Sequence, residues 1–222
     1  MPLLQVYCSA GKNIRSRLPM APDEERIIRV LRPSVIVLCG PAACGKSAFA
    51  VRHFRPTHVI SSDYCRQLVC DDETDQRYNW QTFALLSFLI GQRLSINRLC
   101  VVDSTAITPG ARKSLLDIGR KYRVRTELFL FDIALEKCLE RDRGRVRSVG
   151  PRVIAEQYRM FKESQEAVRC EGFDQIVEFR EEDLQSVCFE ILYRPINPIA
   201  APGNLKARRN FTSASPEPEP RC

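Results

Sequence analysis

Histidine is nearly absent from this sequence. The two present, His53 and His58, stand outside any metal-ligand spacing and are read as structural. The ten cysteines include no Cys-x-x-Cys pair, and Cys39, Cys100 and Cys188 sit in apolar runs where a reduced thiol packs as a small hydrophobe. A disulfide framework and a zinc site are therefore not expected. Long hydrophobic runs are missing too: the longest apolar-rich stretch, "FALLSFLIG" at 83–91, falls far short of the roughly 20 residues that span a bilayer. The start, "MPLLQVYCSAGKNIRSRLP", has no basic lead before a sustained apolar core, so it does not read as a signal peptide. The expectation is a cytoplasmic protein with no membrane partner. There is no internal repeat, and no basic stretch interleaved with aromatics stands out as a stacking platform for nucleic acid.

A chain of 222 residues can bury one well-packed core and is too short for two ordinary catalytic domains. Its 34 Lys and Arg against 27 Asp and Glu leave a net charge of +7, which fits an anionic substrate such as a nucleotide or nucleic acid. A basic surface serving solubility accounts for that charge equally well.

From Ser34 onward, short apolar runs alternate with helical segments. The runs "SVIVLC", "THVIS", "LCVVDS", "RTELFLFD" and "DQIVEF" read as strands, with helices over 46–54, 79–94, 109–122, 134–142 and 151–170. Continuous apolar strands separated by helices predict an α/β fold, a five-stranded parallel sheet of P-loop NTPase type covered on both faces. The expected domain occupies 34–192. Before it, 1–33 form an N-terminal extension in which "DEERIIRVL" at 23–31 reads as a short amphipathic helix stopped by Pro33. After it, 193–222 form a tail holding six of the fourteen prolines, with a composition that suits disorder.

The strongest motif is G-x-x-x-x-G-K-S: Gly40, Pro41, Ala42, Ala43, Cys44, Gly45, Lys46 and Ser47, followed by Ala48, between a strand and a helix. Backbone N–H groups in such a loop form a nest for the β-phosphate of ATP. Lys46 is placed to reach the β- and γ-phosphates, and the Ser47 hydroxyl to ligate Mg²⁺. A chance glycine-rich turn would lack the strand before it and the helix after it.

Transfer to an acceptor hydroxyl needs a base near the carboxyl ends of the strands. Asp63 ends "HVISSD" and Asp103 ends "LCVVD", the latter in the arrangement of a Walker B carboxylate on Mg²⁺. Either could instead be a helix N-cap. Arg66 follows Asp63 by one helical turn and could clamp a phosphate of the acceptor, or be an ordinary surface arginine. The run "ERDRGRVRSVGPR" carries Arg141, Arg143, Arg145, Arg147 and Arg152 where a mobile lid closes in P-loop kinases. Some of these belong to a solvated charge run.

With those residues in place, the chain resembles polynucleotide 5′-hydroxyl kinases, in particular the kinase module of bacterial end-healing polynucleotide kinase/phosphatase enzymes. The resemblance covers about 34–192 and rests on the Walker A loop, "HVISSDYCRQLVCDDETDQ", "LCVVDSTAITPGARKSLLDIGRKY", "LFLFDIALEKCLERDRGRVR" and "EGFDQIVEF". It implies that Lys46 and Ser47 hold ATP and Mg²⁺, that Asp63 is the general base for a 5′-OH of RNA or DNA, and that Arg66 contacts the adjacent acceptor phosphate. It further implies that Arg141 and Arg145 are lid arginines on ATP.

Four features depart from the family pattern: the lid segment is about one residue short, with Gly150-Pro151 in it, and three single positions differ. Cys44 stands where glycine is common, Ala48 where threonine is common, and Ala106 where the family's D-x-T-N has an amide. Cys44, at a helix N-terminus, is expected to be open to oxidation and alkylation. A joined phosphatase or nucleotidyltransferase has no room here, so a solitary kinase domain is expected. Two alternatives stay open: a P-loop kinase of a small hydroxylated metabolite or nucleoside, and an ATP-binding scaffold whose catalysis has decayed.

Overall fold

The computed structural model describes residues 5–7 and 26–196. Three strands meet at the centre: β3 (Ser34–Cys39), β5 (Cys100–Asp103) and β6 (Arg125–Phe131). β3 is buried at every residue, as its run of Val, Ile and Leu requires of a strand covered on both faces. β4 (Val59–Ser61) and β7 (Gln175–Phe179) complete a five-stranded sheet in the order β4-β5-β3-β6-β7, with every adjacent pair parallel. This is the α/β sheet expected of a P-loop NTPase.

Helices cover both faces. On one, α1 (Lys46–His53) and α5 (Leu135–Arg143) pack with Phe129, Phe131 and Phe179. On the other, α2 (Ser62–Cys70), α3 (Asn79–Ser95) and α4 (Pro109–Tyr122) pack through Cys65, Leu86, Ile90 and Leu115 against Val35, Val37 and Val102. α6 (Pro151–Gln165) contributes to both clusters, Ile154 to the first and Phe161 to the second. Its helix stops at Gln165 and continues as a 3-10 turn, Ala167–Cys170, inside the range expected to be one helix.

The expected short helix at 23–31 is corrected. Residues Arg26–Arg32 are a strand, β2, paired in parallel with β8 (Val187–Tyr193), while β1 (Gln5–Tyr7) pairs antiparallel with β8. The burial of "RIIRVLR" alternates: Ile28 and Val30 are buried, whereas Ile27 is 62% exposed. That period of two belongs to a strand. The partner lies far along the chain, since Arg29 on β2 bonds Glu190 on β8, 161 residues away. A segment ambiguous in local pattern takes the structure its distant neighbour offers. Between β7 and β8 lies the short α7 (Asp183–Ser186).

β8 lays Phe189 against Phe49, Phe54 and Phe129, which seats the small sheet on the α1 face. No helix among the described residues is long and apolar enough to cross a membrane. The tail expected at 193–222 lies, from 197 on, outside the described residues.

Candidate active site

A cleft of about 1140 Å³ opens at the carboxyl ends of β3, β4 and β5. Ligands in open α/β sheets bind there, where the crossovers leave the central strand in opposite directions. Its wall includes Lys46, Ser47, Asp63, Arg66, Asp103 and Arg145.

The loop between β3 and α1 has the phosphate-loop shape. Gly45 takes φ 103°, a left-handed conformation open to glycine, as the cap preceding α1. Gly40 is needed for a different reason: a Cβ there would meet Cys44 Sγ at 2.9 Å and Phe131 at 3.2 Å. Lys46 Nζ donates to the carbonyls of Gly40 at 2.8 Å and Pro41 at 2.7 Å, so the ammonium lies folded across the loop. Gln157 Oε1 on α6 accepts from the Ala42 N–H at 2.8 Å. Ala43, like Ala42, borders the cleft.

Cys44 departs from expectation. Its side chain is 0% exposed and belongs to the hydrophobic cluster with Phe131 and Cys138. The thiol is closed off from solvent, with Lys46 Nζ 3.4 Å from its Sγ, so proximity to the helix N-terminus does not make it accessible.

Asp103 is buried beside the loop. Burial pushes its carboxyl up, against a hydrogen bond from Ser47 and the nearby Lys46 ammonium; the Asp63 carboxylate adds to the rise. Ser47 and Asp103 are thus in contact, a hydroxyl and a carboxyl that suit a hard cation. The loop's left-handed glycine, its lysine and this oxygen pair fit Mg²⁺ and a nucleoside triphosphate. Neither aspartate is a helix N-cap: Ser61 caps α2 and Thr108 caps α4.

Asp63 lies in the first turn of α2, and its side chain is 58% exposed. Arg66, on the next turn, is only 4% exposed. Its Nη1 donates to Asp63 Oδ1 at 2.9 Å and to the Glu73 carbonyl at 3.1 Å, and its Nη2 donates to Asn79 Oδ1 at 3.0 Å. Arg66 Nε is buried without a partner. The reading of Arg66 as a plain surface arginine is therefore replaced by a buried guanidinium held in the cleft wall.

The arginine-rich segment separates into different positions. Arg145 and Arg147 line the cleft, and Arg147 pairs with the Glu73 carboxylate across it. Arg141 sits at the loop itself: its Nη1 donates to the Cys44 carbonyl at 3.2 Å, and its Nη2 pairs with Glu181. Arg143 and Arg152 are exposed and do not border the cleft.

Several residues that hold the site in shape are not evident from spacing. Asp142, 3% exposed, accepts from Ser148 Oγ at 2.6 Å, Val149 N–H at 2.9 Å and Gly150 N–H at 3.0 Å. Burial works to raise its carboxyl, but these hydrogen bonds prevail and hold it below the ordinary value. Arg112, fully buried, donates to the carbonyls of Ala106 and Ile107 and forks onto Glu171 at 2.6 and 2.7 Å. It shapes the turn after β5, where Ala106 takes φ 44°. The sequence signal for Asp142 is its place as a carboxylate between Arg141 and Arg143.

Comparison with known proteins agrees with the fold. A family model described as an AAA domain matches residues 35–167. Similar solved structures include a chain of a Pnkp1/Rnl/Hen1 RNA repair complex, at 16% identity and TM-score 0.54 over 62% of this chain and 47% of that one. Kti12 of Chaetomium thermophilum in complex with ADP-AlF3 matches at 15% identity and TM-score 0.51, over 69% of this chain and 94% of that one. A gluconokinase from Sinorhizobium meliloti 1021 matches at 18% identity and TM-score 0.44, over 68% and 84% of the two chains. The chain thus spans about half the length of the RNA repair chain it matches. At these identities the likeness is one of fold alone, the α/β fold of P-loop NTPases. No curated protein sequence matches the chain.

Proposed function

The chain belongs to the AAA domain family, which its residues 35–167 match, and on that premise we propose that it is an ATP-dependent polynucleotide 5′-hydroxyl kinase. It would transfer the γ-phosphate of ATP to a 5′-OH end of RNA or DNA. The observation that carries the reading is the Asp63–Arg66 pair. A carboxylate open to the cleft is tied to a buried guanidinium at 2.9 Å, so a base and an anion clamp stand together on the acceptor side.

In this mechanism Asp63 takes the proton of the attacking 5′-OH. Arg66, whose Nε has no partner in the protein, holds the phosphate next to the reacting nucleoside. Lys46 leaves the carbonyls of Gly40 and Pro41 for the β- and γ-phosphates, while Ser47 and Asp103 would hold Mg²⁺. Mg²⁺ would supply charge neutralisation and an in-line geometry. Arg145 offsets charge on the transferring group from the lid, and Arg141 braces the Cys44 carbonyl under the phosphate loop.

A kinase of a small hydroxylated metabolite is the second reading. It is favoured by the three hydrogen bonds Arg66 already makes, which occupy much of its guanidinium. The deciding experiment supplies γ-labelled ATP and Mg²⁺ with 5′-OH RNA and DNA oligonucleotides beside a panel of nucleosides. Label on oligomers is expected. Label on nucleosides but never on an oligomer overturns the proposal in favour of the second reading.

A further inference from the structure

One face of α3 forms the wall of the acceptor side. Asn79, Phe83, Leu86 and Ser87 line the cleft, recurring at the spacing of a single helical stripe. Within that stripe Leu86 is buried, as a core residue should be, but Phe83 is 42% exposed. Trp80, one residue past Asn79 and three before Phe83, is 79% exposed and sits at the rim of the same stripe. Neither ring stacks on another aromatic among the described residues. The apolar surface of the two rings is thus left in water beside a charged site, where burial against a ligand would recover it.

The surroundings say which ligand suits them. Asn79 Oδ1 accepts from Arg66 Nη2, so the aromatic pair begins one residue from the residue that steadies the phosphate clamp. Lys46, Arg66, Arg145 and Arg147 line the same cleft against Asp63, Glu73 and Asp103; Arg66 is paired with Asp63 and Arg147 with Glu73, which leaves Lys46 and Arg145 as the cations free to meet a polyanion. Flat apolar rings beside guanidinium groups match a single strand, whose phosphates go to the arginines and whose unstacked bases offer π-faces. Paired bases inside a duplex have no free face to give.

We infer that Phe83 and Trp80 form a base-stacking platform for the first nucleobases of a single-stranded acceptor whose terminal phosphodiester lies at Arg66. This rests on the polynucleotide reading above and extends it from phosphates to bases. Phe83, deeper in the cleft, takes the base of the reacting nucleotide, and Trp80 at the rim takes the following one. The two act on affinity and on preference for single strands, while proton transfer stays with Asp63.

Trp80 is the only tryptophan in the chain, so its emission reports on this surface alone. The test titrates the full chain with 5′-OH tetrathymidylate, with an abasic tetramer of the same phosphate number, and with a blunt 5′-OH duplex. Quenching of Trp80 by the thymidine tetramer and not by the abasic one is expected. In Phe83→Ala the Kd for tetrathymidylate rises roughly tenfold, the scale of one lost base–aromatic stack, while that for the abasic tetramer is unchanged. Phe83→Leu, which keeps apolar volume but has no ring, behaves as Phe83→Ala and guards against a folding defect. Equal loss for both tetramers in these variants, equal quenching by both, or duplex binding as tight as single-strand binding overturns the platform alone. If the wild-type chain binds none of the three, the polynucleotide reading falls and the platform with it.

Discussion

Arg66 Nη1 donates to Asp63 Oδ1 at 2.9 Å, and the arginine of this pair is buried while the aspartate is open to the cleft. Burial fixes the arginine through Glu73 and Asn79, and the arginine in turn orients the carboxylate. We predict that Asp63→Ala lowers transfer by about 10²- to 10⁴-fold, the range for losing a general base, and leaves ATP affinity nearly intact. Nucleotide binding measured beside turnover checks this. A large loss of ATP affinity in the variant refutes the assignment of Asp63 to the acceptor side.

The 148–150 segment hangs on one carboxylate. Asp142 accepts three hydrogen bonds from residues 148–150, each to a charged acceptor and worth roughly 1.5–3 kcal/mol. Asp142→Ala is expected to speed amide exchange at Val149 and Gly150 at least tenfold and to raise the KM for ATP. Unchanged protection of these two amides in a hydrogen-exchange experiment would show that the segment does not depend on Asp142.

Glu127 in β6 predicts a pH dependence of stability. It is fully buried, Arg125 Nε stands 4.0 Å from one carboxylate oxygen, and besides that ion pair only the Leu31 backbone N–H, among the described residues, favours its charged form. Burial raises its carboxyl to about 7, against the pull of Arg125. A folded value above the unfolded one means that its stabilising contribution is fully present below about 4.5 and is lost as pH rises through about 7. The difference corresponds to at most roughly 3 kcal/mol. Glu127→Gln should therefore be more stable than wild type at pH 8, with the gap narrowing toward pH 5. Parallel urea titrations of the two proteins at both pH values decide it; a gap that does not change with pH rejects the account.

Cys44 should resist modification in the folded protein. Its thiol is in the core, whereas Cys170 is exposed and Cys70 half-buried. Brief alkylation followed by peptide mass spectrometry should, among the cysteines of the described residues, find label on Cys170 first and none on Cys44. Rapid labelling of Cys44, with protection by ATP, would restore the reactive-thiol expectation and contradict the buried position.

Legibility followed the range of each interaction. The strands β3, β5 and β6 are apolar in nearly continuous runs, and a run of that kind has few homes other than a covered sheet. Helix α4 was readable to the residue because "ITPGARKSL" carries its own start, a Thr108 cap followed by Pro109. β2 was not, because the partner that makes it a strand is β8, at the other end of the domain. In the sequence both Phe83 and Trp80 fall in the helix expected over 79–94, and Phe83 opens its apolar-rich stretch. Whether an aromatic on such a helix faces core or cleft depends on what packs over it.

By itself, the sequence determined the donor half. The phosphate loop is one contiguous stretch, Gly40 to Ser47, in which glycine permits the backbone shape and the next two side chains are the proposed ligands. The positions of Asp103 at the end of β5 and of Asp63 just past β4, in the first turn of α2, were equally local. Only the tertiary structure decided which guanidiniums enter the cleft, since Arg141, Arg145 and Arg147 differ in the partners that Cys44, Glu181 and Glu73 provide, not in their own chemistry. It also turned Cys44 inward and Arg66 into the wall. Side-chain direction and burial are set by residues distant in the chain, and no local pattern encodes them.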